Sequence, residues 1–224
     1  MPKVKVPRKS TTIDMTAMCD VAFLLLSFFI LTTKFKAPDV LAVTTPKSVS
    51  TKAAEQKNVV LITMDKEGKV YFQVADENPD EKAEILDAVA QAKGITLTAQ
   101  EKAGFARGGA FIGVPFSKLK SYLALTADQV KNYKADGIPV DSSNNELITW
   151  IGAANTAFTG KKMNLLVKGD NDAKYPSFKG IIDALKKNEI FKFAMITDPE
   201  GVPAGTDLWK TNQNAPANKP ATDD

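Results

Sequence analysis

Three polar side chains interrupt an apolar run near the N-terminus, and one of them can carry a proton. The run reads IDMTAMCDVAFLLLSFFILTT over residues 13–33, with Thr16, Asp20 and Ser27 as its main polar interruptions. Separations of four and seven residues put the three on one face of a helix. Phe23, Leu24 and Leu31 flank that line, while Phe28, Phe29 and Ile30 mostly point elsewhere. A charged carboxylate at the centre of a membrane helix costs about 2.5–3.5 kcal/mol on insertion scales, so such residues face a bundle interior or a proton path rather than lipid. The chemistry offered here is the uptake and release of a proton by Asp20 in a protein-lined cavity.

Other chemistries lack their residues. The chain has no histidine, which excludes a Ser-His-Asp triad, a Cys-His pair and a histidine-ligated zinc. Cys19 is the single cysteine, so no intrachain disulfide can form, and it reads as a buried structural thiol rather than a bridge between two copies. Asp170, Asp172 and Asp183 lack the glycine and glutamate spacing of a calcium loop and read as solvated turn acids. Gly108, Gly109 and Gly113 are followed by no GKS or GKT and form no phosphate loop. No metal, cofactor or enzymatic activity is expected. With 29 basic and 26 acidic residues interspersed, no dense basic stripe argues for nucleic acid.

The element that must position Asp20 is a helix. About 20 residues at about 1.5 Å each span a hydrocarbon core of roughly 30 Å, so residues 13–33 are just long enough. A cleaved signal peptide would share the basic start (Lys3, Lys5, Arg8, Lys9) and the apolar core over 21–31, but no small-x-small site follows; the next residues are Thr33, Lys34, Phe35 and Lys36. Asp14 can cap the helix through its side-chain oxygen.

This stretch resembles the membrane helix of the ExbD/TolR family, the small subunits of proton-driven motors in the inner membrane of Gram-negative bacteria. The family pattern is roughly N-x-T-P-x-x-D-V followed by a leucine- and phenylalanine-rich run. Residues 13–21 lie on it, followed by Phe23-Leu24-Leu25-Leu26 and Phe28-Phe29, with Asp20 on the proton-carrying aspartate. Asp14 stands where asparagine is usual and Ala17 replaces the proline. The resemblance implies a cytoplasmic N-terminus and a periplasmic remainder. It also implies two such helices, one from a second copy, inside a ring of ExbB/TolQ-like subunits, with a TonB-like transducer as the partner that receives the motion.

Residues 1–12 form a short basic arm and 34–56 a flexible linker. Within the linker, Val40-Leu41-Ala42-Val43 before Pro46 can form a short strand, and the resemblance implies that Val40, Leu41, Val43 and Pro46 can pair with a partner chain; a plain tether is the alternative. Residues 58–74 read as a hairpin around the turn Asp65-Lys66-Glu67-Gly68. Residues 75–138 depart from the family and read as an inserted helical lobe. A helix over 79–93 starts at Pro79, Thr98 and Glu101 form a capping box, a helix covers 116–123, and Thr126 with Gln129 forms a second box. Asp141-Ser142-Ser143 can cap a helix over 146–158; a strand over 163–168, a helix over 177–189 and a closing strand over 190–196 follow. The order of strand, acidic turn, Tyr175, helix and strand is similar to the family's C-terminal half. Residues 201–224 read as a disordered tail.

The expected fold is therefore α/β (α+β): one transmembrane helix, then a small two-layer periplasmic domain over 57–200 carrying the helical insertion. The resemblance implies a subunit of a proton-motive-force-driven motor that powers outer-membrane uptake. Three alternatives stay open: a TolR-like envelope-maintenance subunit, a flagellar-stator-like protein, for which no peptidoglycan-binding domain is visible, and a secreted or membrane-tethered binding module in which Asp20 is incidental.

Overall fold

A computed structural model describes residues 15–32, 43–49, 57–106, 111–206 and 209. The basic arm, Asp14, Val40, Leu41, Gly108, Gly109 and the tail over 210–224 lie outside the described residues. The chain divides into two units, residues 1–38 and 39–224.

The first unit holds α1 (Met15–Thr32), 18 residues that are long and apolar enough to cross a membrane. Thr32 closes it by donating its hydroxyl to the Phe28 carbonyl at 2.7 Å.

The second unit opens with β1 (Lys47–Ser48), then the hairpin β2 (Val59–Met64) and β3 (Val70–Val74). Asp65 builds the hairpin turn: its Oδ1 accepts the N–H groups of Glu67 and Lys69 at 2.9 Å each, and its Oδ2 accepts the Tyr71 hydroxyl at 3.1 Å. Gly68, at φ +85°, supplies the left-handed residue that the turn needs. There follow α2 (Pro79–Lys93), α3 (Ala99–Ala106), β4 (Phe111–Ile112), α4 (Phe116–Leu123) and α5 (Ala127–Asn132). The chain ends with α6 (Leu147–Ala157), β5 (Asn164–Gly169), α7 (Tyr175–Lys187), β6 (Ala194–Ile196) and β7 (Asp198–Pro199).

Five strands form one mixed sheet in the order β4-β3-β2-β5-β6. The β4–β3 and β3–β2 pairs are antiparallel, and the β2–β5 and β5–β6 pairs are parallel. Both faces of the β3–β4 edge are covered. Phe72 points to Trp150 of α6, whereas its neighbour Tyr71 points the other way and meets Phe111. Tyr122 of α4 extends that second cluster to Phe111 and Tyr133 and donates its hydroxyl to the Phe111 carbonyl at 2.9 Å; burial pushes its phenol up to about 12.

The chain is mixed α/β, with one N-terminal apolar helix ahead of a sheet-containing domain. Both expected capping boxes form, with Thr98 N–H on Glu101 Oε2 at 2.7 Å and Thr126 N–H on Gln129 Oε1 at 2.9 Å. Residues 75–138 carry α2 to α5 and also lend β4 to the sheet.

Several boundaries differ from expectation. No strand forms at Val43; the strand of the linker lies at Lys47–Ser48, where β7 supplies its partner. Helix α6 starts after Glu146 and takes no side-chain cap from residues 141–143. Glu146 instead accepts the Phe116 N–H at 2.7 Å, so it caps α4. Helix α7 begins two residues early, at Tyr175, with Pro176 in its first turn. The closing strand is only Ala194–Ile196, because Glu189 turns left-handed at φ +58° and Ile190 N–H bonds the Leu185 carbonyl at 3.0 Å. That bond makes Ile190 part of a helix cap rather than a strand.

Two interactions here yield testable expectations. A Cβ built on Gly180 of α7 would lie 2.1 Å from the Val140 carbonyl oxygen, so α7 packs on backbone that only glycine admits. Gly180→Ala is expected to lose about 1–3 kcal/mol, read as a fall in the urea midpoint of the full chain in detergent. Glu81 of α2 is buried and accepts hydrogen bonds from Lys161 and, at 3.4 Å, from Asn78. The Lys161 hydrogen bond is the first cause holding its carboxyl below the ordinary 4.5. A depressed carboxyl stabilises the fold above its unfolded value and loses that contribution as pH falls through its folded value. Wild type is therefore expected to lose more stability than Glu81→Gln between pH 6 and pH 3.

Candidate functional site

The polar stripe is built by one uninterrupted helix. Asp20 is the sixth of the 18 residues of α1, about one turn before its midpoint. Thr16 precedes it by one turn on the same face. Ser27 donates its hydroxyl to the Leu24 carbonyl at 2.9 Å. That bond satisfies its proton locally, as hydrocarbon requires, and leaves the oxygen able to accept.

Among the described residues of α1, none is buried. Its large side chains are more than half exposed, from Leu25 at 53% to Leu31 at 85%. Cys19, expected as a buried thiol, is likewise exposed on this helix. One helix of this kind among the described residues fits a protein that crosses a membrane once.

The acidic turn after β5 performs a task that its sequence did not reveal. Asp170 Oδ1 accepts Asp172 N–H at 3.0 Å, and Oδ2 accepts Thr44 N–H at 3.0 Å. These two backbone donors, Asp172 first, hold its carboxyl below the ordinary carboxylate range. Of the pairing residues expected in the linker, Val43 and Pro46 are half-buried, and the Pro46 carbonyl accepts Asp198 N–H at 3.0 Å. The turn residue and Thr44 are 126 positions apart, and no local pattern announces such a contact. Among the described residues, no group of three or more acidic or cysteine side chains is placed to hold a metal ion.

A family model described as "Biopolymer transport protein ExbD/TolR" matches residues 7–200. No curated protein and no solved structure matches the chain. The matched region takes in α1 with Asp20, the whole five-stranded sheet and the helices over 79–132. By this match the chain belongs to the ExbD/TolR family of biopolymer transport proteins.

Proposed function

We propose that this chain is the proton-carrying, inner-membrane subunit of an ion-driven motor that energises biopolymer transport. The observation that carries this reading is the carboxylate of Asp20, the sixth residue of an 18-residue apolar helix. Family membership supports the transport role.

The physics runs from charge to movement. An ionised Asp20 is expensive against hydrocarbon and a protonated one much less so. Taking up a proton lets the helix face an apolar neighbour, and losing it favours a polar or hydrated one. One elementary charge crossing the membrane potential releases about 2.3 kcal/mol per 100 mV. Each proton can thus bias which of two helix placements is populated. Thr16 and Ser27 keep the same face polar.

Family members work with ExbB/TolQ-like partners in membrane complexes, and such subunits are the chains that would line Asp20. The helix of a second copy would share that ring. In this arrangement the N-terminus is cytoplasmic, the sheet domain is periplasmic, and the domain passes motion to a TonB-like transducer. A TolR-like role in envelope maintenance would use the same helix with a different partner. The test is Asp20→Asn in the native host, scored for energised uptake and envelope integrity, with insertion and abundance measured alongside.

A further inference from the structure

The folded unit takes hold of the chain before its first long strand. Thr44 N–H donates to Asp170 Oδ2 at 3.0 Å, and the Thr44 carbonyl accepts Asn171 N–H at 2.9 Å. Further along, the Pro46 and Ser48 carbonyls accept the N–H groups of Asp198 and Glu200 at 3.0 and 2.9 Å. Lys47 and Ser48 run parallel to Asp198 and Pro199 in a sheet of their own. Residues 44–48 therefore lie along the domain from the turn after β5 to β7.

This attachment is made differently from the core. The strands β1 and β7 are two residues each, neither contains a buried residue, and among residues 43–49 only Thr45 is buried. By contrast β2 pairs along its length on both sides, and four of its six residues are buried. Backbone hydrogen bonds near the surface, with little apolar burial, belong to the parts of a protein that open first.

Chain length sets the consequence. Ten residues, 33–42, separate α1 from Val43, whereas 26 residues, 33–58, separate α1 from β2. At about 3.4 Å per extended residue these reach at most about 35 Å and about 90 Å. We propose that residues 43–49 are a releasable strap: docked on the Asp170 turn and β7 they hold the folded unit on a short tether, and released they lengthen its reach about 2.5-fold. The strap is N-terminal to the core, so tension arriving along the chain from α1 loads the Thr44–Asp170 contact before it loads β2. This inference rests on the motor reading for the source of tension, but the docking and release stand on the hydrogen bonds alone.

Two measurements test it on the full chain. In lipid nanodiscs, hydrogen exchange at the amides of Thr44, Asn171, Asp198 and Glu200 is expected to be at least about 100-fold faster than in the middle of β2. Asp170→Ala should speed the Asp198 and Glu200 amides by about a further tenfold and leave β2 and β5 unchanged. Exchange of strap and β2 amides at one common rate overturns the proposal. In cells, Ser48→Cys with Pro199→Cys staples two residues that are paired in register. Neighbouring strands lie about 4.8 Å apart, within disulfide range. The stapled chain is expected to lose energised uptake and to regain it on reduction, at unchanged abundance; full activity when oxidised overturns release as a working step. The Asp20→Asn strain separates the two readings. If that variant keeps every activity, the motor reading fails while the exchange result still decides the strap.

Discussion

Asp20→Asn is expected to reduce energised uptake to background, a loss of about 100-fold or more, while the chain still inserts at normal abundance. Asparagine keeps the size and polarity of the side chain and removes only the titrating proton. Because a neutral amide costs less in hydrocarbon than a carboxylate, insertion should not suffer, and a loss of protein cannot stand in for a loss of function. Asp20→Glu restores the proton but moves the carboxyl outward by one methylene, and is expected to retain part of the activity. Uptake is read as growth on a scarce substrate that needs energised import, with membrane fractions quantified in parallel. Unchanged uptake would show that this import does not depend on Asp20, and the same strain would then be scored for envelope integrity. If that is also intact, a tethered binding module becomes the better reading of the chain.

The second large effect lies in the domain. Trp150→Ala is expected to cost about 3–5 kcal/mol of stability, the range for emptying a buried aromatic site. Trp150 is fully buried, with ring centroids 5.4 Å from Phe72, 6.2 Å from Phe105 and 5.9 Å from Phe116. It therefore joins α6 to the sheet, to α3 and to α4, and no single neighbour can collapse into the space it leaves. Among the described residues its indole N–H has no hydrogen-bond partner. Trp150→Phe removes that unpaired donor and keeps an aromatic ring, so its loss should stay below about 1.5 kcal/mol. Urea unfolding of the full chain in detergent, followed by far-ultraviolet circular dichroism, separates the two variants; equal losses would mean that the indole's size is not what the site uses.

Much of this architecture is written in short-range pattern. The hairpin follows from two apolar, β-rich runs around Asp65-Lys66-Glu67-Gly68, and both strands form there. The helices over 79–93 and 116–123 follow from apolar spacing and a proline at or just before the start, and both form with those bounds. Where the apolar pattern misled, another hydrogen bond had taken the residue. Ile190 and Phe191 look like strand, but the left-handed Glu189 draws Ile190 into the end of α7. Residues 141–143 look like a helix cap, yet α6 begins at Leu147 and Glu146 serves α4 instead.

The sequence by itself determined an apolar helix long enough to cross a membrane and the acidic residue within it. These depend on length, hydropathy and a spacing of four and seven residues along one chain, all of which are local quantities. Only the tertiary structure decided that the linker pairs with β7, that Asp170 receives Thr44, and that β4 extends the sheet beside β3. Those contacts join residues far apart in sequence, and each uses at least one backbone group that every residue carries, so no local pattern could foretell the partner.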